Sequence, residues 1–364
     1  MNFSSLKYSQ ASYEAGDITR IENKQRVSLS SHAYSILLHD MDIFQAASGK
    51  EGEISSELIN HIFVNFHSQA ESSLATALQN RHSYLMEHLC GMGDASARAE
   101  AVGLLLKAYS AELEQHRKER CALKNHTQLF RVSKKNLDYL MSDDGQREGA
   151  YHRDNVGAYF KAVLEEYCEH PYAERERIYC KQYVDEIELA ILNRMLLRIE
   201  TRNKHVAYMK PLELGRDPER LYNYLVGLMA TGPDGHWEIA SIRLSSITSC
   251  ERRAQSGFIS AETEKIIRSA IKQVGIQYLA DNDSSERIVV EFTPQGEKLY
   301  RSILHLRPQY TQKTDRVYEF NCSMQQADNY FFKFGHNARI LEPKSLADKF
   351  RRKYENAAKK YISV

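Results

Sequence analysis

The sequence predicts an α+β chain in three parts: a helical N-terminal half, a small curled β module, and an α/β C-terminal extension. Three observations predict it. Apolar residues recur at helical spacing through most of residues 30–192, a cluster of period-two runs follows from Met195, and strand and helix patterns then alternate to the end. At 364 residues the chain has room for two or three domains, each able to bury its own core.

The first part, residues 1–193, opens with "KQRVSLS", which sets Val27 and Leu29 on one face and Lys24, Arg26 and Ser28 on the other. Tyr34, Leu37, Leu38 and Met41 then form a helical stripe, "SGKEG" breaks it, and Ser55 or Ser56 caps a second helix carrying Leu58, Ile59, Ile62, Phe63 and Phe66. The unit spans 24–68. A second unit at 127–170 repeats it: Val27, Leu29, Tyr34, Leu37 and Asp40 align with Phe130, Val132, Leu137, Leu140 and Asp143. Ile59, Ile62, Phe63 and Phe66 align with Val156, Tyr159, Phe160 and Val163. One strand with two open edges cannot stand alone, so the two copies are expected to pair within the chain, unless two common amphipathic patterns coincide by chance. Between the copies, 68–125 reads as two helices, the second starting near Asp94 with Val102, Leu105, Tyr109 and Leu113 at core spacing. Residues 173–193 read as a charged helix.

Four strands are expected next: Met195 to Thr201, His205 to Leu214, and two flanking the Gly232-Pro233-Asp234-Gly235 turn, where proline presets the second position and glycine suits the fourth. Residues 256–260 read as a linker and 261–280 as an amphipathic helix. "RIVVEFTPQGEKLYRSIL", "DRVYEFNCSMQQADNYFFKFG" and "ARILEPKSLADKFRRKYENAAKKY" then alternate strand with helix.

Charge divides with this organisation. Residues 1–193 hold 21 Lys and Arg against 28 Asp and Glu, whereas residues 194–364 hold 28 against 20. The basic second half is either solvated surface or the footprint of a polyanion binder. The final helix is cationic, with Arg351 and Arg352 among seven cations against Asp348 and Glu355, and either lines a polyanion groove or faces solvent. The six cysteines are all at least twelve apart, so no redox or zinc pair is suggested and reduced thiols in a cytoplasm are expected. No apolar run reaches the ~20 residues of a membrane span. No cofactor, metal site or catalytic constellation is motivated.

The order strand, helix, turn, helix resembles the ribbon-helix-helix family, which implies that Lys24, Arg26 and Ser28 would read a DNA major groove. "KPLELGRDPERLYNYLVGL…IASIRLSSI" resembles the WYL domain, a small Sm-like β-barrel, over residues 194–253. Asn223, Tyr224, Leu225, Val226 and Gly227 fall on its named strand, and Ile242 to Ile247 on its closing strand. Asn223 stands where the family usually has Trp, and Ser246 where it often has Arg. The resemblance implies a basic ligand face with Tyr224 and Arg243, where an arginine fork suits phosphate and a ring suits stacking. A core role for Tyr224 and a rim role for Arg243 are the alternative. Residues 261–364 resemble the extension that follows many WYL domains, which implies dimerisation.

In order of parts the chain resembles the WYL accessory proteins of type VI-D CRISPR systems. These are homodimers that bind single-stranded RNA and stimulate an RNA-guided RNase without cleaving RNA themselves. The resemblance implies RNA contacts at Tyr224 and Arg243, and the basic second half adds Lys210, Arg202, Arg252, Arg253, Arg351 and Arg352 as expected contacts, with Tyr208, Tyr222 and Trp237 as further stacking rings. A transcriptional regulator reading duplex DNA is the alternative, but residues 1–60 hold 5 basic against 8 acidic residues, a poor start for neutralising phosphates. A nuclease is weaker still. Arg-x(4–6)-His spacings such as Arg120 to His126 and Arg147 to His152 occur five times, where roughly three are expected from 27 Arg and 14 His.

Overall fold

A computed structural model describes residues 23–45, 53–89, 94–144, 155–217, 222–281 and 287–362. The "SGKEG" break and the Arg147 to His152 pair lie outside them. The chain divides into two compact units, Met1–Tyr179 and Cys180–Val364.

In the first unit β1 (Lys24–Leu29) leads into α1 (Ser31–Ile43), α2 (Ser56–His88) and α3 (Ala95–Ala122). Then come β2 (His126–Arg131), α4 (Lys134–Met141), α5 (Val156–Glu169) and α6 (Tyr172–Tyr179). The strands of the two sequence copies pair with each other, antiparallel, from Lys24 opposite Arg131 to Leu29 opposite His126. Arg26 faces Leu129, its own counterpart in the repeat, as a two-fold relation between the copies requires. The counterparts Ser30 and Ser133 both cap helices, accepting from the N–H of Ala33 and Asn136. Phe63 and Phe160, another matched pair, stack at 4.0 Å in the middle of the core. Close packing explains Gly157: a Cβ there would lie 2.1 Å from the Arg26 carbonyl oxygen.

Asp40 and Asp143 do not share a role. Asp40 is wholly buried and takes two hydrogen bonds from Arg175, Nε at 2.7 Å and Nη2 at 2.9 Å, plus the Tyr167 hydroxyl at 2.8 Å. Asp143 lies at the surface. Glu165, also buried, accepts from the Ser30 N–H and hydroxyl, both at 2.7 Å, and so fixes the entry to α1.

Two helix expectations change. Nothing in Ser56–His88 breaks the helix, which runs through Ser68 as one 33-residue element rather than stopping there. On α3 the buried residues are Val102 and Leu106, which meet Leu78 and Leu85 of α2, while Leu105 is 50% exposed. Three adjacent leucines, Leu104 to Leu106, offered two helical stripes, and the facing helix selected the one through Leu106.

The second unit starts with α7 (Lys181–Leu192), which sequence had placed in the first part. Its Glu186 and Tyr183 bond to Arg252 and to the Thr248 carbonyl, so it belongs to the β module. The module contains β3 (Met195–Thr201), β4 (Val206–Arg216), β5 (Asn223–Ala230), β6 (Glu238–Arg243) and β7 (Ile247–Ser256). They form one antiparallel sheet in the order β6-β5-β4-β3-β7. The sheet is open rather than a closed barrel, with no β6–β7 ladder among the described residues. The expected closing strand Ile242 to Ile247 is instead the end of β6, a 3-10 turn over Leu244–Ser246, and the start of β7. Ser246 makes that corner, donating its hydroxyl to the Arg243 carbonyl at 2.6 Å. The Gly235 N–H bonds the Gly232 carbonyl at 3.0 Å, closing the hairpin turn.

After α8 (Ala261–Val274) and a 3-10 segment (Ile276–Asp281) come β8 (Ile288–Phe292), α9 (Pro294–Ser302), β9 (Tyr310–Thr314) and β10 (Val317–Phe320). The chain continues through α10 (Met324–Phe331), a 3-10 segment (Phe332–Asn337), β11 (Ala338–Glu342) and α11 (Lys344–Ile362). The sheet order β11-β8-β10-β9, with α9 and α10 as connections, is a split βαβ arrangement. Its core is aromatic: Phe292, Phe320, Tyr330, Phe331 and Phe334 are all buried. No helix among the described residues is long and apolar enough to cross a membrane. Burial pushes the Cys250 and Cys322 thiols up to about 12, which leaves them protonated and unreactive near neutrality.

Candidate nucleic-acid interface

The period of two in a strand decides which site residues share a face. Tyr224 lies directly opposite Arg243, and Leu228, two pleats along β5, lies opposite Lys210. Tyr208, on the same side of β4, faces Arg198, which faces Glu251; Arg253 is two residues further along β7. One face of the sheet therefore carries Arg243, Tyr224, Lys210, Tyr208, Arg198 and Arg253.

Arg252 points the other way. It lies opposite buried Leu197 and grips Glu186 of α7, Nε to Oε2 at 2.7 Å and Nη2 to Oε1 at 3.3 Å. That hydrogen bond raises the pKa of the Arg252 guanidinium above its ordinary value. Adjacent arginines in one strand cannot line one surface, so Arg252 braces α7 while Arg253 stays on the opposite face, paired with Glu251 at 2.7 Å. Arg202 sits in the β3–β4 turn, where its N–H bonds the Ser246 carbonyl at 3.0 Å.

Rings hold two of the cations. The Lys210 ammonium sits 4.4 Å from the centroid of Trp237, and the Arg243 guanidinium 3.6 Å from that of Tyr222. The ring beside Lys210 attracts that cation without cancelling its charge, unlike a carboxylate. Tyr224 is half-buried against Val226, Ile267 and Tyr278, so α8 and the 3-10 segment cover that end of the face. Its packing role is plain, and Arg243 is the cation of the pair. Asn223, in the position of the family's usual Trp, is completely buried.

The α11 cations fall into two groups. Lys349 and Lys353 converge on buried Asp328 at 2.9 and 2.6 Å. Arg351 contacts Asp348 at 3.3 Å and lines an open groove of about 530 Å³ with Arg339, His336, Phe350 and Tyr354, while Arg352 is exposed and bonds the Asp348 carbonyl at 3.4 Å. On the ribbon, Lys24, Arg26 and Arg131 are exposed, and the Ser28 hydroxyl meets that of Thr127 at 2.7 Å.

Arg198 was missed in the sequence, although the alternation in "MLLRIET" carries it outward. The nuclease spacing finds no support in Arg120 and His126: Arg120 pairs with Glu166 at 2.9 Å and His126 stacks on Tyr34 at 4.0 Å.

No family model matches the chain, and no curated protein matches it significantly. Among solved structures it is similar to one described as a CRISPR Cas-related protein, with a TM-score of 0.68 at 22% identity, over 96% of this chain and 97% of that one. A second structure, the proteasome accessory factor B/C of Arthrobacter aurescens, covers 62% of this chain and 35% of its own at 16% identity. Its TM-score of 0.27 is too low to argue a shared fold. The first likeness shows a fold shared over nearly the full length of both chains.

Proposed function

We propose that this chain is a non-enzymatic, single-stranded RNA-binding accessory protein of a CRISPR system, acting as a homodimer that stimulates a type VI-D RNA-guided RNase. One observation carries the RNA reading: Lys210 over Trp237 and Arg243 over Tyr222 bring cations and rings to the sheet face that also holds Arg198 and Arg253. Single-strand binding needs that combination, since cations track the backbone and rings accept any base. The CRISPR assignment takes over the description of the structurally similar protein, together with the WYL resemblance of Tyr222 to Ile247. Dimerisation is assigned to residues 261–364, and the paired ribbon of the first unit serves as scaffold or as a docking surface for the RNase.

Filter binding to single-stranded RNA, single-stranded DNA and duplex DNA over a salt series tests the reading. Lys210→Ala with Arg243→Ala is expected to weaken RNA binding and to lower the salt slope by about 1.4, at ~0.7 per phosphate contact. Adding the protein to a type VI-D RNase should raise its cleavage rate, and an unchanged rate rejects the accessory role. The exposed trio Lys24, Arg26 and Arg131 on the ribbon favours the second reading, a regulator of duplex DNA. Tighter binding of duplex DNA, abolished by Arg26→Ala and untouched by Arg243→Ala, would establish it instead.

A further inference from the structure

A second cationic surface with an exposed ring lies far along the chain from the WYL strands, where β9 meets the end of α9. Residues 297–316 hold five Lys and Arg against two acids. Three of these cations lie on or beside the elements that brace Tyr310. Arg307 stands 5.4 Å from the Tyr300 centroid, and Tyr300 lies 6.2 Å from Tyr310 at a steep angle. Lys313 stands 4.8 Å from the Tyr318 ring, which meets Tyr310 edge-on at 5.3 Å. Arg301 is exposed on α9, four residues from Glu297.

Glu297 is ion-paired with one of the three, Lys313, and leaves Arg301 and Arg307 as the cations open to an anion. It accepts the Tyr318 hydroxyl at 2.7 Å and Lys313 at 3.0 Å, contacts that hold its carboxyl below the ordinary range. Tyr310 is 47% exposed although two rings brace it, so its outer surface faces solvent in a fixed orientation. β9 ends its sheet, and all five of its residues are exposed. A short, polar, cationic edge of this kind is ill suited to recruiting an apolar strand.

We infer that Tyr310, Arg301 and Arg307 form a second contact for single-stranded RNA, with one unpaired base stacked on Tyr310 and phosphodiesters on the two arginines. This inference rests on the RNA reading above and adds a site to it. A ring braced edge-on by two others loses little freedom on stacking, and cations beside the bracing rings supply the charge that a stacked nucleotide's phosphates need.

The test uses the full-length protein and a fluorescent single-stranded RNA long enough to reach both surfaces, titrated over a salt series. Arg301→Ala with Arg307→Ala is expected to reduce the slope of log K against log salt by about 1.4. Tyr310→Ala is expected to weaken binding about tenfold, and Tyr310→Phe to restore it, because stacking needs the ring and not the hydroxyl. Thermal midpoints within a few degrees of wild type confirm that the variants fold. A wild-type protein that binds no single-stranded RNA overturns this site and the function proposed above together. RNA binding that falls with Lys210→Ala but keeps its slope in the Arg301/Arg307 double variant overturns this site alone. An acidic peptide displaced by neither Tyr310→Ala nor salt would assign the edge to strand addition instead.

Discussion

Gly227 is the position where fold and proposed function meet most tightly, and Gly227→Ala should damage both. A Cβ at residue 227 would stand 2.0 Å from the Lys210 carbonyl oxygen, 3.0 Å from its carbon and 3.2 Å from Pro211 Cα. The first distance is more than an ångström inside ordinary contact, and the obstacle is backbone, so no rotamer relieves it. Relief requires β4 to move off β5 at the bulge between Pro211 and Glu213. Losing two or three ladder hydrogen bonds at ~1 kcal/mol each puts the cost at about 3 kcal/mol, at the upper end of overpacking. For a unit of this size that lowers its thermal midpoint by roughly 6–12 °C. Trp237, the single tryptophan, sits in this module against Lys210, so its fluorescence during urea unfolding follows the affected strands directly. A midpoint change worth under ~1 kcal/mol with an unaltered native emission would refute the close-approach account.

Asp40→Ala should destabilise the first unit by about 4 kcal/mol, because it strands a buried guanidinium and the Tyr167 hydroxyl. Pairing Asp40→Leu with Arg175→Met should recover most of that loss in urea unfolding, and a double variant as unstable as Asp40→Ala alone would count against it. In the second unit, burial acts to raise the Asp328 pKa, but hydrogen bonds from Lys353 and Lys349 outweigh it and bring the pKa below its ordinary value. A lowered folded-state pKa contributes stability that is complete above the ordinary carboxylate value of ~3.9 and is lost as pH falls through the folded value. Thermal midpoints measured from pH 6 to pH 2 should therefore fall less steeply in Asp328→Asn than in wild type, and identical slopes would remove Asp328 from the acid response.

The parts of the fold that were legible in the sequence were those whose signals are local. Ser30 and Ser133 announce their helices by the side-chain oxygen that accepts the first free N–H groups, and Gly232 to Gly235 specifies its turn within four residues. The matched stripes through Phe63 and Phe160 were visible because both follow one helical period. Choices made by a distant partner left no local trace. Nothing near Leu105 says that α2 will select Leu106, and nothing near Cys180 says that α7 will join the sheet through Glu186 and Arg252, 66 residues apart. β9 was missed because all five of its residues are exposed, so it has no apolar alternation to read.

The site was legible by residue type and not by direction, which also bears on what the charge asymmetry means. Moving the border to Cys180 leaves 20 basic against 25 acidic residues in the first unit and 29 against 23 in the second, so the imbalance survives. Much of the positive charge in the second unit is nevertheless cancelled locally. Arg252 is held by Glu186, Arg268 by Glu213 and Glu264, and Lys349 and Lys353 by Asp328. Lys210 and Arg307 are held by rings instead, and a ring fixes a cation while leaving its field directed outward. A polyanion responds to that remaining field rather than to the count of lysines and arginines. Lys210 on β4 and Arg307 in the segment before β9 are therefore better markers of where a polyanion would lie than the dense cationic run of α11.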